Sequence, residues 1–286
     1  MYVELLSLFT AFCYGFSAVL ARKGMRDSNP LTGALFTALI QVLILSGLLL
    51  RSPPRSLNWL AIAYFIISGI LASTLGRLFN FMSMERLGVP VSASIIGSSP
   101  LFSTFFAIIF VGETVASTTL MGTFLVVVGI AIARSRDEMG GSSLRGSALV
   151  IPILSAAFYG ASSSVRKLGL MLMTDVTLGA LVGSASSFVS FVGYIVMNRS
   201  MGTVRIRRRS LPYFVVSGVV VSLGWLSMFN ALAVGDVSVV ATLIGTNPLY
   251  SLLLSWILLR DSEKFSWRVT VGCLVIVAGA VIVTLF

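Results

Sequence analysis

A chain of 286 residues that is 57% hydrophobic and only 10% charged lies far from a soluble domain, in which about a quarter of the residues carry charge. Its formal net charge of +10 does not point to nucleic acid, because the basic residues stand in short breaks between apolar runs, where they act as topology signals. With no histidine and two isolated cysteines, Cys13 and Cys273, it has no ligand set for a metal, no disulfide framework and no expected cofactor, and both thiols read as small interior residues.

The first apolar run, at 3–21, opens on Glu4 instead of a basic stretch and is followed by no small-residue cleavage site, so it reads as a retained span and not as a signal peptide. Further runs follow at 31–50, 59–82, 89–111, 115–133, 146–165, 176–197, 211–234, 237–259 and 267–286. About 20 apolar residues in a helix cross a hydrocarbon core of about 30 Å, and lipid leaves no partner for unpaired backbone. The expectation is an all-α integral membrane protein of ten transmembrane helices, a multi-pass protein of the cell membrane whose partners are the lipid bilayer and a small molecule.

The breaks carry turn residues: Ser28-Asn29-Pro30, Ser52-Pro53-Pro54, Gly140-Gly141-Ser142-Ser143 and Ser210-Leu211-Pro212. Alternate breaks differ sharply in charge. Lysine and arginine collect around 22–26, 86, 134–145, 199–209 and 260–268, whereas the other breaks hold only Arg51, Arg55, Arg166 and Lys167. The positive-inside rule makes the first set cytoplasmic and puts both termini outside.

The diglycine break divides the sequence into two related halves, 1–138 and 144–286. Tyr14-Gly15 aligns with Tyr159-Gly160, Gly24 with Gly169, Gly69 with Gly218, Leu75-Gly76 with Leu223-Gly224 and Gly88 with Gly235. In the fourth helix of each half, Gly97-Ser98-Ser99-Pro100-Leu101 matches Gly245-Thr246-Asn247-Pro248-Leu249; before and within the fifth, Glu113, Gly122 and Gly129 match Glu263, Gly272 and Gly279 with identical spacing. Five spans is an odd number, so two copies of one fold enter the membrane from opposite faces, giving an inverted repeat. That architecture points to a secondary transporter working by alternating access around a midplane site.

The paired Tyr-Gly, the Gly-x-x-Pro-Leu of each fourth helix and the Glu followed nine residues later by Gly resemble the EamA-like repeat of the drug/metabolite transporter superfamily, over essentially the whole chain. The resemblance implies an exporter or exchanger of small metabolites, such as amino acids or related compounds, and it implies termini in the cytoplasm, against the charge count. A lipid-linked sugar flippase and a non-transporting membrane scaffold are the alternatives. An enzyme is not expected, since the spans hold no clustered acid or nucleophile pair.

Arg77 is read as the one basic residue well inside an apolar run. A charge there costs at least ~2.5 kcal/mol unless paired or hydrated. It either grips an anionic or zwitterionic substrate bidentately or snorkels toward the helix end near Glu85. Its counterpart, Trp225, is either packing or an aromatic wall of the site. Asn80 and Asn230 either bridge helices or touch substrate. Pro100 and Pro248 deprive the carbonyls of Ile96 and Ile244 of their helical donors and are expected to kink their helices; Ser99 and Asn247 beside them either bind substrate or repair the backbone. Tyr14 and Tyr159 line a cavity or brace a neighbouring helix. Glu113 and Glu263 are expected to favour the N-terminus of the last helix of each half. Gly179, Gly183 and Ser187 form a packing stripe. All ten acids stand in breaks or near helix ends, Glu4 nearest to the interior of a span, so facilitated diffusion or exchange is expected rather than proton coupling through a midplane carboxylate.

Overall fold

The computed structural model describes residues 1–25, 28, 30–54, 57–87, 92, 95–133, 146–197, 208–258 and 267–285, and their regular structure is helical throughout. The first half supplies α1 (Tyr2–Met25), α2 (Pro30–Arg51), α3 (Trp59–Gly69), α4 (Arg77–Leu87), α5 (Ser99–Phe106) and α6 (Ser117–Ala133). The second supplies α7 (Gly146–Leu172), α8 (Val176–Met197), α9 (Leu211–Val234), α10 (Val237–Ile244), α11 (Asn247–Leu258) and α12 (Trp267–Leu285). Six helices are long and apolar enough to cross a bilayer, and shorter apolar helices cover Ser99–Val111, Ser117–Ile132 and Val271–Leu285.

Local chemistry sets several of these boundaries. Asn58 starts α3 by accepting hydrogen bonds from the amides of Leu60 and Ala61, at 3.0 and 3.2 Å, and Asp175 starts α8 by accepting one from Leu178 N at 2.9 Å. Both satisfy amides that the first turn of a helix leaves without partners. Asn58 stands just past Ser52-Pro53-Pro54, the break the sequence reading placed there.

Polarity runs opposite to that of a soluble protein. Large apolar side chains such as Leu5, Phe124, Val189, Met197 and Leu274 are exposed, while Ser7, Thr10, Ser17, Ser68, Ser155 and Ser217 are buried. Lipid tails accept an apolar exterior, and small residues inside let helices come close and hydrogen-bond across the gap. Ser17 and Ser217 share a hydrogen bond of 2.7 Å between their hydroxyls, and Ser162 Oγ donates to Ser68 O at 2.8 Å. Thr10 Oγ1 donates to Gly224 O and Ser155 Oγ to Gly76 O.

These bonds come in matched pairs, and so does the packing. α1 packs on α9 as α7 packs on α3; α1 meets α11 as α7 meets α5; α2 meets α9 as α8 meets α3. Two contacts are their own counterparts, α2 with α8 and α6 with α12. The most extensive contacts thus run between the sequence halves, which interleave. Phe214 fills the space beside Gly24 and Gly33, and Phe65 does the same beside Gly169 and Gly179. The stripe on α8 accordingly packs: Gly179 takes Phe65 and Gly183 lies against α3 at Gly69.

Three features depart from the sequence reading. The sixth apolar run does not end at 165, because α7 continues to Leu172 and carries Arg166 and Lys167 inside it. Pro100 and Pro248 do not kink continuous helices. The chain turns at Gly97-Ser98 and at Gly245-Thr246, and each proline sits in the first turn of a new helix, α5 or α11, where a missing N–H costs nothing.

The third departure is a π-helical segment at Ile70–Gly76, between α3 and α4. Gly69 packs on α8 as Gly218 packs on α2, and Gly76 faces Tyr159 as Gly224 faces Tyr14. Gly76 is the seventh residue after Gly69, whereas Gly224 is the sixth after Gly218. The wider turn therefore absorbs one extra residue of the first half, so the contacts on either side of it stay in register.

α6 and α12 also approach backbone to backbone. A Cβ on Gly279 would stand 2.7 Å from Gly122 O and 2.8 Å from Val126 N, whereas one on Gly47 would meet nothing within 4 Å. Alanine is the better helix former by roughly 1 kcal/mol, so Gly47→Ala is expected to leave the melting temperature of the purified protein unchanged or slightly raised. Gly279→Ala is expected to lower it by several degrees, matching an overpacking cost of about 1–3 kcal/mol. Thermal denaturation in detergent checks the contrast in sign.

Candidate functional site

Both broken helices and both tyrosine-bearing helices converge on one cavity of about 540 Å3. Its wall includes Ile96, Gly97, Ser99 and Pro100 from the first break and Ile244, Gly245, Asn247 and Pro248 from the second. The two breaks abut, since a Cβ on Gly245 would lie 2.9 Å from Pro100 Cγ. Matched segments of the two halves therefore meet at the cavity wall.

Of the eight residues singled out in the sequence, Tyr14, Arg77, Asn80, Ser99, Tyr159, Trp225 and Asn247 line this cavity. Asn230 does not. Its amide donates to Leu226 O, one turn back in α9, at 2.8 Å, so it neither bridges helices through that bond nor meets the cavity.

Arg77 is the first residue after the π-helical segment, and its guanidinium lies 4.7 Å over the Phe191 ring of α8. Tyr159 interacts with both the Arg77 and Asn80 side chains, and Asn80 Oδ1 is buried with no hydrogen-bond partner. Snorkelling is thereby replaced by a seat over an aromatic ring in the cavity wall.

A second cation was missed in the sequence. Arg166, only 3% exposed, also lines the cavity. Its guanidinium lies 4.7 Å over Trp225 and 5.2 Å over Phe229; Nη2 donates to Ser162 Oγ at 3.0 Å and Nη1 to Met228 Sδ at 3.5 Å, while Nε has no partner. Desolvated cation–π contacts are worth about 2 kcal/mol each, comparable to the cost of a charge in a membrane interior. Two rings and a hydroxyl thus explain how α7 carries an arginine where a break was expected.

Trp225, the residue matching Arg77, is therefore the platform for the other guanidinium and is itself fixed by Nε1 donating to Ala180 O at 3.0 Å. Tyr14 completes the correspondence: its hydroxyl donates to Met228 Sδ at 3.5 Å, as Tyr159 meets Asn80, the residue matching Met228. The cavity wall thus presents two groupings, Tyr159 with Arg77 over Phe191 and Tyr14 with Arg166 over Trp225. No aspartate or glutamate lines the wall among the described residues, and none there forms an ion pair with either arginine.

Acidic groups serve elsewhere. Glu113 follows a π-helical turn at Ala107–Val111 and the left-handed Gly112, φ 77°. Its carboxylate accepts hydrogen bonds from Val237 N at 2.6 Å and Ser238 N at 3.2 Å. It caps a helix, as expected, but that helix is α10 of the other half and not the last helix of its own. Nearby, Lys167 Nζ donates to Leu232 O at 2.8 Å and Gly235 O at 2.9 Å, neutralising carbonyls at the end of α9. Together they hold the α9–α10 corner from two sides. Glu263 lies outside the described residues, and Glu4 pairs with the amino terminus at 2.5 Å.

Compared with known protein families, the sequence matches the EamA-like transporter family twice, over residues 1–135 and over 146–285. The chain belongs to that family. It is also similar to an uncharacterized transporter of Archaeoglobus fulgidus, with 25% identity over 285 residues that cover 98% of this chain and 97% of that protein. A crystal structure of a protein of 18% identity matches with a TM-score of 0.82, over 99% of this chain and 98% of its own, which speaks to the fold alone. Family and helix composition together make the chain a multi-pass membrane transporter, and the cavity is its candidate substrate site.

Removing the inter-half cap has a measurable cost. Glu113→Ala leaves two helix N-terminal amides of α10 without their charged acceptor, at an expected cost of about 1–2 kcal/mol. The melting temperature of the detergent-solubilised protein is expected to fall by a few degrees, with Glu113→Gln, which keeps one acceptor oxygen, in between.

Proposed function

We propose that this transporter moves a small anionic or zwitterionic metabolite by alternating access, as an exporter or exchanger of the cell membrane, through the cavity between its two halves. The observation that carries the reading is a midchain cavity bearing two guanidinium groups and no lining carboxylate, at the meeting point of two broken helices. Arg77, Arg166, Asn80 and the paired tyrosines contact substrate directly; Trp225 and Phe191 are the platforms that hold the cations in place. Ser99 and Asn247, which open α5 and α11, bring helix N-termini to the wall, and a helix N-terminus favours negative charge.

The repeat is ten spans in two inverted five-helix units, 1–138 and 144–286. Matched contacts between the halves support it, as does the double family match. Inversion follows from the odd number of crossings in each unit. With Arg166 and Lys167 inside α7, the sparsely charged side keeps only Arg51 and Arg55, which strengthens the bias toward termini outside. Exchange or facilitated diffusion fits a site without a lining carboxylate to carry a proton.

Counterflow in proteoliposomes, with a panel of labelled amino acids, dicarboxylates and sugar phosphates, tests the function. Arg77→Ala is expected to reduce anion counterflow at least about tenfold, the loss of one charge-assisted contact, with Cys273→Ser as the unaffected control; equal rates in Arg77→Ala would reject a substrate role for the cavity. Topology is tested in a cysteine-free background: single cysteines at Ser52 and Arg208 are expected to react with an impermeant maleimide from opposite faces of the membrane. Reaction of both from one face rules out the inverted pair.

A further inference from the structure

We infer that the cavity takes a two-ended dianion, a small organic compound with an acidic group at each end of a short chain, held between Arg77 and Arg166. This rests on the transporter reading above and narrows it from anions and zwitterions to one class.

The two guanidiniums stand over separate aromatic platforms anchored along one helix. Arg77 lies over Phe191 of α8 at 4.7 Å. Arg166 lies over Trp225, whose indole is bonded to Ala180 O of α8 and approaches Gly183, 3.6 Å from where a Cβ would stand. Gly183 and Phe191 are eight residues apart on α8, about 12 Å along a helix that rises 1.5 Å per residue. A lone carboxylate or phosphate grips one guanidinium through bonds of about 2.8 Å. Platforms set this far apart along α8 favour a ligand with two acidic groups over one with a single group. Two acidic groups joined by a few carbons can engage both.

Charge argues the same way. Arg166 is buried with its Nε unpartnered, and no acid lines the cavity among the described residues. A monoanion therefore leaves one of the two cations uncompensated, and a zwitterion brings its ammonium toward one. A dianion compensates both cations at once. Because Arg77 and Trp225 occupy matched positions in the repeat, each half presents one guanidinium, one of them on its backbone position and the other resting on its indole. A substrate with two equivalent ends meets a cation at whichever end it enters.

Equilibrium binding to the purified full-length protein, by isothermal titration calorimetry, tests the inference with probes of defined charge. Succinate, glutarate and adipate carry two carboxylates; butyrate carries one, 4-aminobutyrate is its zwitterion, and inorganic phosphate is a compact anion. The best dicarboxylate is expected to bind at least about tenfold more tightly than any of the other three, the gain of one further charge-assisted contact. Arg77→Gln and Arg166→Gln are each expected to bring it down to the butyrate level. Should Arg166→Gln fail to yield folded protein, Arg166→Lys, which keeps the charge and loses the fork, is expected to weaken the dicarboxylate several-fold.

Butyrate, phosphate or 4-aminobutyrate binding within about threefold of every dicarboxylate overturns the inference, as does binding of none of the dicarboxylates or an unaltered affinity in Arg77→Gln. Selective dicarboxylate binding without counterflow in proteoliposomes overturns the transport reading and leaves the dianion site standing.

Discussion

Gly15 lies so close to the backbone of Asn247 and Ser251, and Gly160 to that of Phe102 and Ser103, that a methyl group on either would overlap main-chain atoms at under 3 Å. Through these two contacts the first helix of each half is drawn against the broken helix of the other. The cavity exists because of that approach: the same helices carry Tyr14 and Tyr159 to its wall, and the same breaks supply Ser99 and Asn247. Bulkier residues would hold the halves apart and open the site to lipid, where its polar groups have no partners.

Inside a bilayer every polar group placed in the interior must find its partner within the protein. Here many of the partners lie across the halves, beside hydroxyls that bond one turn back in their own helix. Serine and threonine hydroxyls bond to carbonyls of the opposite unit and a carboxylate caps a helix of the opposite unit, while within the second half a lysine from α7 holds the end of α9. Polar satisfaction thus joins the two units, and the few groups left unsatisfied are telling. Arg166 Nε and Asn80 Oδ1, both in residues of the cavity wall, are among them.

Much of this was legible because small residues and apolar length encode it directly. Most of the paired glycines aligned in the sequence that the structure describes meet large side chains or backbone of the other half, and seven of eight candidate residues reach the cavity. Arg166 was hidden because a basic pair at the end of an apolar run reads as a break. The continuing apolar stretch 168–172 and Ser162 one turn back were the available signals, but its platforms, Trp225 and Phe229, come from a distant helix. Whether Pro100 kinks or breaks a helix depends on packing that no local pattern states. Glu113 was given the right chemistry and the wrong helix, since the nearest N-terminus in sequence is not the nearest in space.

The single-residue mismatch between the halves was visible in their alignment as a shift of register, and the wide turn at Ile70–Gly76 is where it is accommodated. Its counterpart stretch in α9 is ordinary α-helix. Exchange of roles between two units is energetically even only when the units are identical, and these differ in the very segment that delivers Arg77. Under the proposed alternating access, the two openings therefore have unequal free energies, and that supernumerary residue and its surroundings contribute to which side of the membrane the resting protein faces.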